Sequence, residues 1–137
     1  IGHAQKIADA INKLHQVGMQ VSLFIDPNPE QIAKSIELGA DAIEIHTGAY
    51  AEHWLEGGEA AAAPELARIK QAVAYAKQQR PELLVNAGHG LTRENVAAIA
   101  TIEGIHELNI GHAIIADSVF MGLENAVKAM QQAFNPA

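Results

Sequence analysis

The sequence predicts an α/β fold built around one parallel β-sheet. Two patterns indicate this fold: apolar residues recur with the helical period of 3.6, and short aliphatic runs typical of strands lie between those segments. Strands that are joined by crossover helices pair in parallel. The 137 residues suit one domain, and 49% of them are hydrophobic, which is enough to form a buried core.

The leading segment is helical, and four strand–helix units follow it. Residues 4–14 place their apolar side chains on one helical stripe, and Gly18 is a natural end for that helix. A strand is then predicted at each of four places: residues 21–25, 42–46, 83–87 and 107–110. A helical pattern follows each strand, and residues 114–120 form a short extra helix before the last one.

Local signals predict where helices begin and where loops lie. Asn28 is expected to cap the helix after the first strand, with Gln31 placed for a capping-box contact. Thr92 is expected to cap the helix after the third strand. Three glycines within residues 48–58 predict a loop between the second strand and a longer helix.

The composition excludes several classes of protein. Nine Lys and Arg residues stand against 16 Asp and Glu, a net charge of −7, so neither nucleic acid nor an anionic membrane is an expected partner. The absence of cysteine excludes disulfides, thiolate metal sites and cysteine nucleophiles. No apolar run approaches 18 residues and no signal-peptide pattern is present, so we expect a cytoplasmic protein.

Two architectures fit the predicted elements: a small doubly wound open sheet, and half of a (β/α)₈ barrel. Side chains alternate along a strand, so Glu44 and His46 share one face while Ile43 and Ile45 share the other. Helices cover both faces of an open sheet, which should therefore be apolar. Adjacent Glu and His side chains favour a barrel interior, although a frayed strand end in solvent would also explain them.

Polar residues also fall at the ends of the third and fourth strands. Asn86 and Asn109 each stand among aliphatic residues, two positions before a glycine at the end of the strand. A single asparagine of this kind is more often a loop anchor than a catalyst. With Glu44 and His46 on the second strand, polar side chains occur near the carboxyl ends of three strands. Ligands bind at these ends in both architectures, so the polar side chains indicate a ligand site.

Two Gly-His sequences follow the last two strands, Gly88-His89-Gly90 and Gly111-His112. Glycine lets the backbone approach a ligand closely, and a helix N-terminus offers free N–H groups to an anion. Two ordinary tight turns would explain either sequence alone. The two Gly-His sequences occupy the same position in consecutive strand–helix units, and a short extra helix follows the second. Together these features favour a phosphate site of the kind found in (β/α)₈ barrels.

Histidines near this edge allow two kinds of chemistry. His89 could act as a general acid or base, because histidine changes its charge near neutral pH. Alternatively, Glu44, His46, His89 and His112 could hold a metal ion, although no HxH or HExxH spacing occurs. An enzyme that acts on a phosphorylated sugar usually needs an arginine or lysine directed at the reacting group. Arg93 alone among the lysines and arginines closely follows a strand end, so we expect part of such a site to lie outside these residues.

Four strings run in order along the chain: QVSLFID at residues 20–26, IEIHTG at 43–48, VNAGHGL at 85–91 and ELNIGHAI at 107–114. Together they resemble the pyridoxine 5′-phosphate synthase family of vitamin B6 biosynthesis. The resemblance covers essentially the whole chain and corresponds to strands five to eight of that family's (β/α)₈ barrel. It implies that residues 1–137 are the C-terminal half of a single barrel domain, without an internal boundary.

The resemblance also implies an activity and a set of site residues. The family condenses 3-amino-2-oxopropyl phosphate with 1-deoxy-D-xylulose 5-phosphate, releasing pyridoxine 5′-phosphate, phosphate and water, without a metal or organic cofactor. Carried over by motif, Glu44 is the transition-state stabiliser and His89 the proton donor. Gly90, Gly111 and His112 bind the aminoketone phosphate. The family also implies a homo-oligomer.

One departure from the family is large. Its two proton acceptors and several substrate-binding residues lie on early strands, whose motifs do not occur in these 137 residues. We therefore expect a piece of a longer polypeptide, with the N-terminal half of the barrel as its partner. An isolated half would expose two sheet edges and an uncovered apolar face. A metal-dependent barrel lyase or isomerase and a non-enzymatic, flavodoxin-like phosphate-binding module stay open as alternatives.

Overall fold

The computed structural model describes residues 3–135 of the chain. Within that range, a leading helix and four strand–helix units are present, as predicted. The helices are α1 (Ala4–Gln16), α2 (Pro29–Glu37), α3 (Gly48–Gln79), α4 (Val96–Ala100), α5 (His112–Met121) and α6 (Leu123–Phe134). The strands are β1 (Ser22–Ile25), β2 (Ala42–His46), β3 (Leu84–Gly88) and β4 (Glu107–Asn109), each within one residue of its predicted bounds.

The four strands form one parallel sheet in the sequential order β1-β2-β3-β4. In this order each strand–helix unit adds its strand beside the previous one, as it does in a (β/α)₈ barrel. A flavodoxin-like sheet has the strand order 2-1-3-4-5, in which the order of the strands reverses at a topological switch point. The observed order therefore differs from that of the flavodoxin-like alternative.

One face of the sheet packs against helices and forms the core. Ile43, Ile45 and Val85 are fully buried there, and they belong to one cluster with Ile69 and Val73 of α3. Burying an aliphatic side chain of this size contributes roughly 1.5–3 kcal/mol, so this face supplies much of the fold's stability. No helix of residues 3–135 is long and apolar enough to cross a membrane.

The opposite face of the sheet carries mostly polar side chains. The strand register aligns Phe24, Glu44, Asn86 and Glu107 in one row across the four strands. Phe24 is 55% exposed, and Glu107 is exposed as well. The expectation of an uncovered apolar face is therefore wrong for the sheet, whose open face is mainly polar with one large exposed aromatic ring. Exposed apolar side chains lie instead on α5, where Val119 is 78% and Phe120 90% exposed.

The loop predicted over residues 48–58 is helical instead. Helix α3 begins at Gly48, and only Gly57 and Gly58 leave helical backbone angles, where they form a kink. Tyr50 is buried and Trp54 packs against the core, so tertiary contacts stabilise this short first segment. Glycine spacing alone does not reveal that packing.

Helix α2 begins with the predicted cap but without the predicted capping box. Asn28 Oδ1 accepts hydrogen bonds from the backbone N–H groups of Glu30 (2.8 Å) and Gln31 (3.2 Å). The Gln31 amide bonds to Asp26 instead, accepting from its backbone N–H at 3.1 Å and donating to its carboxylate at 3.2 Å. The capping-box prediction is wrong because this turn offers Gln31 two partners in Asp26.

Candidate active site

The five candidate site residues line one cleft beside the carboxyl ends of the strands. The cleft has a volume of about 500 Å³, and its walls include Glu44, His89, Gly90, Gly111 and His112. Strand β2, the loop after β3 and the junction of β4 with α5 each contribute to it. The structure thus brings these residues together, while the chemical role of each stays a prediction.

A side chain from another strand holds Glu44 in place. Asn109 Nδ2 donates a hydrogen bond of 2.7 Å to Glu44 Oε2. The two residues lie on β2 and β4, and the pair meets over Gly88 of the intervening strand β3. A Cβ atom on Gly88 would lie 2.5 Å from Glu44 Oε1, so the absence of a side chain there makes the contact possible.

Asn86 lies in the same row of the open face, between Glu44 and Glu107 in the strand register. Its Oδ1 is buried and has no hydrogen-bond partner among residues 3–135. A buried acceptor without a partner costs about 1–3 kcal/mol. A hydrogen-bond donor from a bound ligand or partner would remove that cost.

His89 projects from a strained turn after β3. Its φ is +85°, and among residues 3–135 it is the one non-glycine residue with a positive φ. Gly90 follows with a φ of +77°. The left-handed conformation costs a residue with a side chain roughly 1–2 kcal/mol, so surrounding contacts must hold it.

Thr47 supplies the first of these contacts. It is completely buried, and its hydroxyl lies 2.8 Å from the carbonyl oxygen of Gly88 and 2.7 Å from that of His89. Its backbone N–H also donates to the Gly88 carbonyl at 2.9 Å. The sequence interpretation missed Thr47, although its position directly after the Glu44 and His46 pair was a usable signal.

Hydrogen bonds through Asn95 connect the residues that follow His89 to helix α3. Asn95 donates to the carbonyl of Gly90 (3.3 Å), and it accepts from the backbone N–H of Thr92 (2.8 Å). The buried Tyr50 hydroxyl donates to the Asn95 carbonyl at 2.8 Å. Burial, with a smaller effect from Glu59, raises the pKa of Tyr50 to about 12, so this donor keeps its proton.

Thr92 does not cap α4 as predicted, because that helix begins four residues later. The turn between them uses the Asn95 side chain to bond the Thr92 N–H. Arg93, in the same turn, forms a 2.8 Å ion pair with Asp117 of α5. Among the described residues, the lining of the cleft contains no lysine or arginine.

His46 stacks against His89 rather than lying at a frayed strand end. The two ring centroids are 4.5 Å apart, with an angle of 25° between the ring planes. Phe24 completes a cluster of three rings, with its centroid 5.0 Å from that of His46 and 6.4 Å from that of His89. His46 Nδ1 accepts a hydrogen bond of 3.2 Å from the backbone N–H of Gly48.

The second Gly-His sequence forms the N-terminus of α5. The helix begins at His112, two residues before the predicted stretch, and Gly111 precedes it. Both residues and Ala113 line the cleft. The first backbone N–H groups of a helix lack partners within the helix, and its dipole favours negative charge there. This wall of the cleft therefore suits an anion.

The metal-binding alternative gains no support from the positions of the side chains. Within residues 3–135, no three His, Asp or Glu side chains lie close enough together to hold a metal ion. Glu44, His46, His89 and His112 therefore do not form the ligand set that this alternative requires.

Sequence comparison shows the family to which the chain belongs. A sequence profile of the family described as "Pyridoxal phosphate biosynthesis protein PdxJ" matches residues 1–136. The chain belongs to the PdxJ family. Its resemblance to the synthase family, inferred from four strings, is thereby confirmed.

Two relatives of this PdxJ-family chain are named pyridoxine 5′-phosphate synthase. The protein from Sulfurihydrogenibium sp. (strain YO3AOP1) is 55% identical over 126 residues, which are 92% of this chain and 49% of that protein. The protein from Prochlorococcus marinus (strain MIT 9211) is 50% identical over 131 residues, or 96% of this chain and 51% of that protein. The chain thus spans about half the length of these relatives.

Proposed function

We propose that this chain supplies the C-terminal half of a pyridoxine 5′-phosphate synthase with a (β/α)₈ barrel fold. The observation that carries the proposal is the convergence of Glu44, His89, Gly90, Gly111 and His112 on one cleft at the carboxyl ends of the strands. That is where (β/α)₈ barrels bind their substrates. Membership of the PdxJ family and the names of the two relatives support the activity.

The proposed partner is the N-terminal half of the same barrel. Strands β1 and β4 are the edges of the sheet, and large apolar side chains are exposed on β1 and where α5 meets α6. Phe24 on β1 is 55% exposed, and Phe120 and Leu123 beside the junction of α5 and α6 are 90% and 57% exposed. A second half would cover these surfaces, supply the missing proton acceptors and offer a donor to Asn86 Oδ1. Assembly into a cytoplasmic homo-oligomer is also part of the proposal.

The proposed reaction joins two small phosphorylated substrates. The amine of 3-amino-2-oxopropyl phosphate condenses with the carbonyl of 1-deoxy-D-xylulose 5-phosphate. Phosphate and water are then lost as the pyridine ring closes and becomes aromatic, which gives pyridoxine 5′-phosphate. Each step moves protons, so positioned acid and base groups can accelerate the whole sequence without a cofactor.

Each group of residues in the walls of the cleft has a separate proposed role. The backbone at Gly90 and Gly111, together with His112 and the first turn of α5, would bind the phosphate of the aminoketone. His89 would protonate an oxygen that leaves during dehydration. Glu44, held by Asn109, would stabilise the cationic, iminium-like centre that develops when the amine has condensed.

The His89→Asn variant tests this assignment. Asparagine tolerates a positive φ better than most residues, so the turn should persist, but its amide cannot act as an acid. In the chain assembled with the N-terminal half, we expect kcat to fall about 10²–10⁴-fold while KM changes little. His106→Asn, at the opposite end of β4, is the matched control. A loss confined to KM would contradict the donor role.

A further inference from the structure

We propose that His46 is a positioning residue for His89: its imidazole ring stacks against the His89 ring and holds that ring toward the cleft. The inference deepens the proposed function, because it rests on His89 as the proton donor. It identifies a residue that acts through another side chain, and none of the sequence motifs assigned it such a role.

The backbone contacts of the turn do not fix the His89 ring. Thr47 bonds carbonyl groups at the start of the turn, and Asn95 bonds the carbonyl of Gly90. These contacts set φ and ψ but leave χ1 and χ2 of the exposed His89 side chain free to rotate. The nearest rings are those of His46 and Phe24, at 4.5 and 6.4 Å between centroids. Ring contact is therefore what orients the imidazole.

His46 is itself held firmly. It ends β2, and its Nδ1 accepts the Gly48 N–H at 3.2 Å. A nitrogen that accepts a hydrogen bond carries no proton, so this contact is made by the tautomer whose ring hydrogen lies on Nε2. Glycine at position 48 is required for this approach, because a Cβ atom there would overlap the His46 ring.

A neutral His46 suits a neighbour that must carry a proton. Two charged imidazolium rings at a centroid distance of 4.5 Å would repel each other, whereas a cation is attracted to the face of a neutral aromatic ring. The stack therefore persists when His89 is protonated, which is the state from which it donates. Glu44 and His112 are the other titratable side chains that line the cleft.

Two variants separate the ring of His46 from its hydrogen bond. His46→Phe keeps a flat ring and removes the acceptor, while His46→Asn keeps an acceptor near the Nδ1 position and removes the ring. In the chain assembled with the N-terminal half, we expect His46→Asn to lower kcat about 10- to 100-fold with KM nearly unchanged, because the donor is misplaced. His46→Phe should stay within about threefold of the unmodified protein in kcat. His106→Asn again serves as the control.

A spectroscopic readout makes the test independent of turnover. In the substrate-free assembly, ¹⁵N-labelled histidine should show the Nε2–H tautomer for His46. The ring protons of His89 should show a ring-current shift that His46→Phe retains and His46→Asn reduces, because only the more distant Phe24 ring then remains. Two results would overturn the proposal. One is that the His89 chemical shifts stay unchanged in His46→Asn, and the other is that kcat is lost in His46→Phe but kept in His46→Asn. If the unmodified assembly makes no product, the proposed function fails, and the His89 shifts alone decide whether His46 positions the ring.

Discussion

Glu44 and Asn109 are joined by a hydrogen bond of 2.7 Å, although they lie on strands that are not neighbours in the sheet. Strand β3 separates them, and it carries Gly88 at the point where their side chains meet. The bond orients one carboxylate oxygen and leaves the other for a ligand. A proposed catalytic group therefore depends on a residue from the fourth strand and on a glycine from the third.

Asn109→Ala should lower kcat without preventing folding, because it frees the Glu44 carboxylate. A hydrogen bond to a charged group is worth about 1.5–3 kcal/mol, which corresponds to about a 10- to 100-fold effect on rate if the bond is fully used. Steady-state kinetics of the chain assembled with the N-terminal half measure it. Asn125→Ala is the control, since this exposed residue of α6 donates to the Met121 carbonyl at the end of α5, away from Glu44. Equal kcat values for the two variants would contradict the positioning of Glu44.

Gly88→Ala should disrupt the same pair sterically. The added Cβ would lie 2.5 Å from Glu44 Oε1 and 2.7 Å from the backbone oxygen of Asn109, distances that real Cβ atoms do not tolerate. Overpacking of this kind costs about 1–3 kcal/mol, and we expect both activity and the denaturation midpoint to fall. Gly111→Ala is the control for folding, because within residues 3–135 no atom outside Gly111 and the two adjacent residues lies within 4 Å of its Cβ position. A Gly88→Ala protein as stable as Gly111→Ala would contradict the close approach.

Thr47→Val should loosen the turn that presents His89. Valine keeps the shape of threonine but removes the hydroxyl that lies between the carbonyl oxygens of Gly88 and His89. The Gly88 carbonyl keeps the Thr47 backbone N–H as a donor, so the loss falls on the part-buried carbonyl of His89. A buried acceptor that loses its donor costs about 1–3 kcal/mol of the free energy of unfolding, so we expect a loss toward the lower end of that range. Thr47→Ser retains the hydroxyl and should keep most of that stability. Urea denaturation of both variants measures the difference, and a Thr47→Val protein more stable than Thr47→Ser would refute this role.

The strands, their faces and the gathering of polar groups could be predicted because these signals are local. A period of two places Glu44 and His46 on one face whatever surrounds them. Glycine next to histidine at a strand end likewise marks a turn that comes close to a ligand. The parallel sheet then brings the carboxyl ends of its strands to one edge, which is why five residues from separate motifs line one cleft.

The contacts that orient the side chains could not be predicted from the sequence. The bond from Asn109 to Glu44 depends on strand order and register, and the stacking of His46 on His89 depends on a left-handed turn. The first segment of α3 was missed for a similar reason. Its glycines predict a loop, but burial of Tyr50, which is a tertiary effect, stabilises a helix there.

Acid should weaken the fold partly through Asp41. The backbone N–H of Val21 (2.7 Å) and then the His15 side chain (2.8 Å) lower the pKa of Asp41 below its usual value of 3.8. A carboxyl whose pKa is lowered in the folded state adds stability above its unfolded pKa, and it loses that contribution as pH falls through the folded pKa. Asp41→Asn keeps an acceptor for Val21 but cannot ionise.

The free energy of unfolding measured at several pH values checks this sign. The unmodified protein should exceed Asp41→Asn in stability at about pH 6, and the difference should shrink below about pH 4. Asp9→Asn is a suitable control, because Asp9 is exposed on α1 and bonds only Gln5 four residues away among the described residues. A difference that grows in acid would contradict the lowered pKa of Asp41.

The most direct measurement is product formation by the 137-residue chain with both phosphorylated substrates, alone and mixed with the N-terminal half of a PdxJ-family relative. We expect pyridoxine 5′-phosphate only from the mixture, because the proposed proton donor lies on this chain and the proposed acceptors on the other half. Product from the chain alone would contradict the division of the site between two halves of one barrel.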